Sequence, residues 1–398
     1  MRSADTIDPS RRRPKNRKDQ IALVAAELFC ARGYHRVGID EIAAAVGISG
    51  PAVYRHFPGK YAILVFATRS LITRVLEAVE SDEADPGARL DALLTALARV
   101  AVEGRNVGGL YQWEWRYLEI VHRAEFAEGQ EALARRFVVP LMALRKDLDV
   151  KAASALVRAL LSVFASLSTH RAAIARGRAE ETLRRVGLAL LRAEPPVPRP
   201  LTKKPRPDQD PAGVRPGARR ELVLAEAIRL FHRYGYHAVG MGDIARGVGI
   251  NASSVYRVFP GKADILAAAF YRASERVSEA TTVALDGAVD AADALRRLTE
   301  SYVELTFERS DLVSVYLAEN SNLPGGDRHE LRKVQRLHVE EWVRLLTEVR
   351  PELPAPEARV LVHAALNLVT DLSRWVRFDR RTGMDAHLVR LAMLIMTA

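Results

Sequence analysis

A single stretch occurs twice in this 398-residue sequence, and the repeat constrains the fold more than any other feature. Residues 29–60 align without a gap on residues 231–262 at a constant offset of 202, with 18 identities in 32 positions. A period of about half the chain is too long for a solenoid, whose repeats span roughly 20–50 residues. We therefore predict two copies of one domain, since about 200 residues are enough for each copy to bury its own core.

The spacing of residues inside each copy predicts a helix-turn-helix. Apolar residues at i, i+4, i+7 and i+8 indicate an amphipathic first helix; they are Ile21, Ala25, Leu28 and Phe29 in the first copy and Val223, Ala227, Leu230 and Phe231 in the second. Gly33 and Gly235 follow, where a left-handed helix cap favours glycine. A second helix is predicted over Ile39–Val46 and Met241–Val248. After a glycine turn, a short third helix is predicted over residues 50–57 and their copies.

In these motifs the two copies resemble the DNA-binding region of the tetracycline-repressor (TetR) family. The residues that carry the resemblance are Glu41-Ile42-Ala43, Val46-Gly47-Ile48-Ser49, Val53-Tyr54-Arg55-His56-Phe57 and Lys60, repeated as Asp243-Ile244-Ala245, Val248-Gly249-Ile250, Val255-Tyr256-Arg257, Phe259 and Lys262. The whole chain is similar to an actinobacterial subset with two modules in tandem, which includes repressors of mammalian-cell-entry operons. The resemblance implies an all-α fold of two tandem modules. Each module would have an N-terminal helix-turn-helix domain and a C-terminal helical domain for effector binding and dimerisation.

The resemblance also implies which residues touch an operator in double-stranded DNA. The residues expected at the bases follow Ser49 in the first copy and Asn251 in the second. They are Gly50, Pro51, Ala52 and Arg55, and Ala252, Ser253, Ser254 and Arg257. Those expected at the phosphates are Tyr54, His56, Lys60, Tyr256 and Lys262. Ser49 and Asn251 suit the N-cap of the third helix. Val258 replaces the histidine, so the second head is expected to hold the DNA backbone less well.

Local composition and the positions of proline and basic residues predict the domain boundaries. The predicted parts are a basic arm (1–16), a helix-turn-helix domain (17–62), a helical domain (63–193), a proline-rich linker (194–216), a second helix-turn-helix domain (217–264) and a second helical domain (265–398). Eight prolines make the linker extended rather than helical. Six basic residues between Arg11 and Lys18 are either a solvated tail or an arm that reaches the minor groove or phosphates. Arg219 and Arg220, at the end of the linker, could belong to a second arm.

The overall composition agrees with a DNA-binding protein. A formal charge of +10 and a pI near 9.8 suit a polyanionic partner. A single cysteine, Cys30, excludes a disulfide within the chain. The N-terminus lacks the apolar core of a signal peptide, and the apolar stretch 360–369 is too short to span a bilayer. We expect a cytoplasmic protein that does not bind a membrane, with no cofactor and no metal.

Helical periodicity extends through the rest of both modules. Helices are predicted near 61–79, 88–103, 106–124, 127–147, 151–172 and 180–193, and near 263–283, 289–309, 311–321, 327–349, 355–376 and 384–397. The last two of each module carry broad apolar stripes, which by themselves indicate ordinary core. The resemblance implies that they form the four-helix bundle through which TetR subunits dimerise. One chain would then be a pseudo-dimer of its own modules, with a homodimer as the further option.

The resemblance further implies a pocket for a small-molecule effector among the middle helices. The segment 111–117 concentrates aromatic residues that could line such a pocket or belong to the core, whereas the segment beginning at Tyr316 has no tryptophan. The two pockets are therefore expected to differ. The candidate pocket residues are Tyr111, Trp113, Glu114, Tyr117, Phe164, Tyr316, Glu319, Asn320 and Asn367.

Three functions are compatible with these features. The favoured one is a ligand-responsive regulator, most simply a repressor released by a bulky apolar or acyl-type metabolite, for example in lipid or sterol catabolism. The second is an effector-independent architectural DNA-binding protein, which would not need over a hundred extra residues behind each head. The third is a helical enzyme on a TetR-like scaffold. Against it, the sequence has no P-loop, HExxH, CxxC or nucleophile elbow, and its histidines do not cluster at metal-ligand spacing.

Overall fold

The computed structural model describes residues 17–112, 114–198, 218–319 and 322–398, and within these ranges the chain is helical without a strand. The predicted arm at 1–16 and linker residues 199–216 lie outside them. The chain divides into two compact units. The first contains the residues up to Ala78 together with Glu103–Leu133, and the second contains Val79–Val102 together with Ala134–Ala398.

The first unit contains the first head, defined as helices α1 (Arg17–Arg32), α2 (Ile39–Val46) and α3 (Gly50–Tyr54). Gly33 and Gly47 adopt φ angles of 87° and 77°, which side chains with a Cβ rarely tolerate. Gly47 has the left-handed conformation, whereas Gly33 combines its positive φ with an extended ψ of 142°, so the left-handed cap predicted there is wrong. Phe29 and Val53 are fully buried in the core of this head. Helix α3 ends at Tyr54, three residues earlier than predicted, because Pro58 disfavours a helical conformation just before it.

The remaining helices of the first module are mostly those predicted. They are α4 (Lys60–Ala78), α5 (Pro86–Glu103), α6 (Gly109–Gln112), α7 (Ile120–Leu144), α8 (Val150–Ala165) and α9 (Arg176–Arg192), with 3-10 turns at Glu114–Tyr117 and Ser166–Ser168. The continuous helix predicted near 106–124 is wrong. Its two glycines, at 108 and 109, each cost about 1 kcal/mol in a helix, and the segment folds as α6, a 3-10 turn and the start of α7 instead.

The second module repeats this order. Its head, the second head, consists of α10 (Arg219–Tyr234), α11 (Met241–Val248) and α12 (Ala252–Tyr256). Its body consists of α13 (Lys262–Asp286), α14 (Ala291–Glu308), α15 (Ser310–Glu319), α16 (Gly325–Val349), α17 (Ala355–Trp375) and α18 (Met384–Thr397). These bounds agree with the predicted ones to within a few residues, because strong apolar periodicity runs through each helix.

Helices α8, α9, α17 and α18 form a four-helix bundle inside the second unit, with α8 against α17 and α9 against α18. Residues i and i+205 occupy equivalent places in the two modules, and Asn367 Nδ2 donates to the carbonyl of its equivalent, Ser162, at 3.0 Å. On either side of this pair, His170 stacks on His363 and Arg158 lies over Trp375. These two contacts are the same contact made twice, so the bundle has a pseudo-two-fold axis between Ser162 and Asn367. The predicted bundle therefore exists within one chain.

One segment of the described chain, Val150–Ser168, is long and apolar enough to cross a membrane by length and composition. The segment contains α8, and most of its apolar window is buried within the fold. A core helix of a soluble bundle has the same composition, so the feature is weak evidence for a membrane.

Candidate nucleic-acid interface

The third helix of the first head is amphipathic over a very short distance. Val53 and Phe57 point into the core, whereas Pro51, Tyr54, Arg55 and His56 are exposed. Ser49 occupies the N-cap position, but its side chain accepts no capping hydrogen bond. Pro51 has no N–H, so one of the two backbone groups that could donate to the Ser49 side chain is missing. The exposed residues form a polar and basic face of the size that a DNA groove accepts.

The second head makes the cap that the first head lacks. Asn251 Oδ1 accepts hydrogen bonds from the backbone N–H of Ser254 and the hydroxyl of Ser253, both at 2.9 Å. Ala252, Ser253, Tyr256 and Arg257 are exposed. Ser254, however, is only 9% exposed. The expectation that Ser254 faces bases is therefore wrong for this conformation.

A lysine at the start of the next helix holds the turn after the first helix of each head. Lys60 Nζ donates to the Tyr34 carbonyl at 2.9 Å, and Lys262 Nζ donates to the Tyr236 and Val239 carbonyls at 2.6 and 2.7 Å. Each ammonium also lies over the tyrosine ring, and burial lowers the pKa of both lysines. Two of the three N–H donors of Lys262 are used inside the protein. Its expected phosphate contact would therefore use the third donor.

Two further features of the heads were not predicted from the sequence. At the start of α2 and of α11, the N–H of Gly38 donates to Glu41 and that of Gly240 to Asp243, both at 2.8 Å. An acid three positions into a helix is the sequence signal for such a bond. The second feature is Arg220, in the first turn of α10, whose guanidinium lies over the Phe259 ring and donates to the Val258 carbonyl. Its position next to the linker had suggested an arm instead.

Two of the predicted pocket residues of the first module make packing contacts in this structure. Tyr117 stacks on Tyr34 at a centroid distance of 5.5 Å and packs edge-on against His35, so it touches the turn of the first head. Phe164 is 2% exposed and packs against Gly187 in the four-helix bundle. Tyr111 lies in α6 and Glu114 in the following 3-10 turn, while Trp113 is outside the described residues.

The predicted pocket residues of the second module also belong to packing contacts. Tyr316 packs on Phe270, and burial raises the pKa of its hydroxyl to about 12. Glu319 accepts hydrogen bonds from the backbone N–H of Tyr236 and from the side chain of Asn322. Asn367 lies on the bundle axis, and Asn320 is outside the described residues. Apolar periodicity could not separate these packing roles from the lining of a pocket.

Two small cavities lie elsewhere in the described chain. The first is partly open, holds about 10 Å³ of free space and lies between α13, α14 and α16; it is lined by Val277, Ala280, Thr281, Leu298, Ser301, Tyr302, Leu305 and His338. His338 accepts from the Trp342 indole at 3.1 Å, and burial lowers its pKa to about 4, so the ring is neutral. The second cavity, of about 30 Å³, lies in the first unit between α4 and α7. Both are smaller than the 300–1,000 Å³ of most ligand pockets.

Metal ligands do not cluster in the parts of the chain that are described. In residues 17–112, 114–198, 218–319 and 322–398, no group of three or more His, Cys, Asp or Glu side chains could hold a metal ion.

Both heads and the body of the second module match known protein families. Residues 21–65 and 223–269 match the family described as bacterial regulatory proteins, tetR family, and residues 288–397 match the family described as tetracyclin repressor-like, C-terminal domain. Among curated proteins, the HTH-type transcriptional activator FasR of Mycolicibacterium smegmatis is 38% identical over 69 residues, which are 16% of this chain and 32% of FasR. The nucleoid occlusion factor SlmA of Aliivibrio fischeri is 36% identical over 101 residues, which are 24% of this chain and 50% of SlmA. The chain thus spans half or less of these relatives.

Solved structures resemble this chain over slightly less than half of its length. The TetR-family regulator PfmR from Thermus thermophilus is 22% identical, with 45% of this chain and 96% of that chain covered and a TM-score of 0.39. The ketosteroid regulator KstR2 of Mycobacterium tuberculosis is 19% identical, with 45% and 95% covered and a TM-score of 0.40.

Proposed function

The chain belongs to the TetR family of bacterial transcriptional regulators, and we propose that it binds DNA through both heads as a pseudo-dimer of its own modules, in the cytoplasm. The observation that carries this proposal is the four-helix bundle, which is built by one helix pair from each module of a single chain. A second chain is not needed to complete it. The homodimer of whole chains becomes an alternative that a sizing measurement with DNA would detect.

The two heads present different side chains, so the proposed operator is not a palindrome. A two-fold symmetric dimer reads two identical half-sites. Here the third helix begins with the half-buried Gly50 and the exposed Pro51 in one head, and with the exposed Ala252 and Ser253 in the other. Proline offers apolar contact to a thymine methyl, whereas the serine hydroxyl can donate or accept a hydrogen bond in the major groove. Each half-site should therefore have its own sequence.

We expect footprinting of the full chain on the DNA upstream of its own gene to protect two unlike half-sites about one helical turn, or a multiple, apart. Replacing Ala252-Ser253 by Gly-Pro should shift the preference toward two copies of the first half-site, with roughly 1–3 kcal/mol at each altered base pair. Ser254→Ala is the matched control, because this side chain is buried and its loss should leave the sequence preference unchanged. A palindromic footprint for the wild type, or an unaltered preference after the swap, contradicts this division.

We further propose that DNA binding responds to an apolar or acyl-type metabolite that enters the cavity between α13, α14 and α16. Four apolar residues line this cavity, and Thr281, Ser301, Tyr302 and His338 supply its polar groups. It must expand to hold a bulky ligand. Expansion would displace the helix that begins at Lys262, the residue that holds the turn of the second head. A ligand that prefers the expanded state would in this way lower the population of the DNA-binding state.

Leu298→Trp is expected to abolish release from DNA by acyl-coenzyme A compounds while changing operator affinity by less than about threefold, because the indole fills the cavity. Release is measured by titrating the protein–DNA complex with isovaleryl- and palmitoyl-coenzyme A. The control is Ile72→Trp, which fills the other cavity and should leave release intact. Release that survives Leu298→Trp would mean that the effector binds elsewhere.

The effector-independent DNA-binding protein remains a second candidate function, because both cavities are small in this structure. It predicts that no metabolite changes DNA affinity. Whether the regulator represses or activates is tested separately, by comparing transcript levels of the neighbouring genes with and without it.

A further inference from the structure

The two heads differ at one position at the end of the third helix. His56 of the first head is exposed, whereas the equivalent residue of the second head is the half-buried Val258. A valine side chain cannot donate a hydrogen bond to a phosphate. If the second head binds DNA as firmly as the first, another group must take the place of this histidine.

The guanidinium of Arg220 lies next to Val258. Arg220 Nη1 donates to the carbonyl of Val258 itself at 3.0 Å, and the guanidinium carbon lies 4.1 Å from the centre of the Phe259 ring. The side chain thus reaches from α10 to the residue that follows the third helix. Its equivalent in the first head is Lys18, whose ammonium lies 5.3 Å from the Phe57 ring. The head that lost the histidine therefore carries the larger, forked cation.

The chemistry of Arg220 suits a phosphate. A guanidinium has five N–H donors in a planar fork that matches phosphate oxygens, and the bond to Val258 uses one of them. The residue is exposed. The carboxylate beside it, Glu221, is bound by both terminal nitrogens of Arg272, at 2.6 and 2.8 Å. The bond to Val258 and the contact with Phe259 hold the fork in place, so less entropy is lost when it binds.

We propose that Arg220 binds a DNA phosphate beside the third helix of the second head and supplies the backbone contact that Val258 cannot make. This proposal rests on the proposed DNA-binding function. It assigns the same task to different residues in the two heads: His56 in the first, and Arg220 in the second.

The test is the salt dependence of binding of the full chain to a random-sequence DNA duplex, measured by fluorescence anisotropy. Arg220→Gln should reduce the slope of log affinity against log salt by about 0.9, the value for one phosphate contact. Arg220→Lys keeps the charge and should keep most of the slope. Arg344→Gln removes the same charge from α16, which packs on other body helices, and should leave the slope unchanged. Adding Val258→His to Arg220→Gln should recover part of the slope at pH 6, where an imidazole is partly charged.

The possible results separate this proposal from the one on which it rests. A wild-type chain that binds no DNA at low salt overturns the proposed function. A wild-type chain that binds, with an unchanged slope for Arg220→Gln, overturns the role of Arg220 alone. If Arg220→Lys and Arg220→Gln lose the same slope and Val258→His recovers none of it, the arginine merely supports the fold and the proposal is also overturned. Thermal unfolding of each variant shows whether the second head is intact.

Discussion

Replacing both Arg178 and Arg185 by alanine is expected to lower the free energy of unfolding by about 3–5 kcal/mol, because it leaves a buried carboxylate without its cations. The carboxylate is that of Glu357 on α17, which is 2% exposed. It accepts hydrogen bonds from Arg185 at 2.8 Å and Thr182 at 3.0 Å and forms an ion pair with Arg178 at 3.2 Å. These three partners lie on α9, so this cluster joins the two modules.

The design of this experiment separates the stranded charge from lost packing. Adding Glu357→Gln to the double arginine variant should restore much of the stability in urea unfolding, because a neutral amide can keep the bond to Thr182. The control is Arg184→Ala, which breaks a surface pair with Asp91 in which both side chains are nearly half exposed; it should cost about 1 kcal/mol or less. If the double variant and the control lose equal amounts, Glu357 is not held by these arginines.

The same cluster favours pairing between unlike modules. The residue equivalent to Glu357 in the first module is Ala152, at the offset of 205 that relates the two bodies. Two first-module bodies would therefore pair without a carboxylate at this place. The acid Asp371, which Ser162 and Asn367 contact by hydrogen bonds, likewise corresponds to Ser166. Both acids come from the second module, so the bundle is completed best by the two halves of this chain.

Acidification from pH 6.5 to pH 4 is expected to destabilise the second unit by up to about 3 kcal/mol for each of three histidines. Burial lowers the pKa of His338, His363 and His387 from 6.5 to about 4. The unfolded chain therefore takes up these protons first as the pH falls. Above pH 6.5 these histidines are neutral in both states and cost no stability. Between pH 6.5 and pH 4 each one lowers the free energy of unfolding, by about 1.4 kcal/mol per pH unit.

Charged groups near these histidines modify the size of the pH effect. Arg359 lowers and Glu340 raises the pKa of His363, while Arg390 lowers that of His387. Burial raises the pKa of Asp371, which has the opposite sign: its contribution is largest at low pH and is lost as the pH rises. Urea unfolding at several pH values measures the sum, and His387→Gln, at a site that is 1% exposed, should remove about one third of the loss. Stability that stays constant down to pH 4.5 would contradict this expectation.

Local features of this protein followed from its sequence because their causes are local. The turns at Gly33 and Gly47 need a positive φ angle, and only glycine adopts one without strain, so the residue type alone marks the place. The helix bounds of both modules follow from apolar periodicity in the same way. The prediction near 106–124 failed where two adjacent glycines weakened the helix.

The partner of each apolar or polar side chain was decided only by the tertiary structure. Periodicity shows that Phe164 lies on a buried face, but the element that covers this face comes from elsewhere in the chain. For the same reason the sequence could not place Tyr117 against the first head or Asn367 on the bundle axis. The burial of Ser254 and the contact between Arg220 and Val258 likewise depend on how the helices of the second head pack. A repeated motif thus determined two heads and two helical bodies, while the contacts between distant residues, which depend on how helices pack, determined how the bodies join.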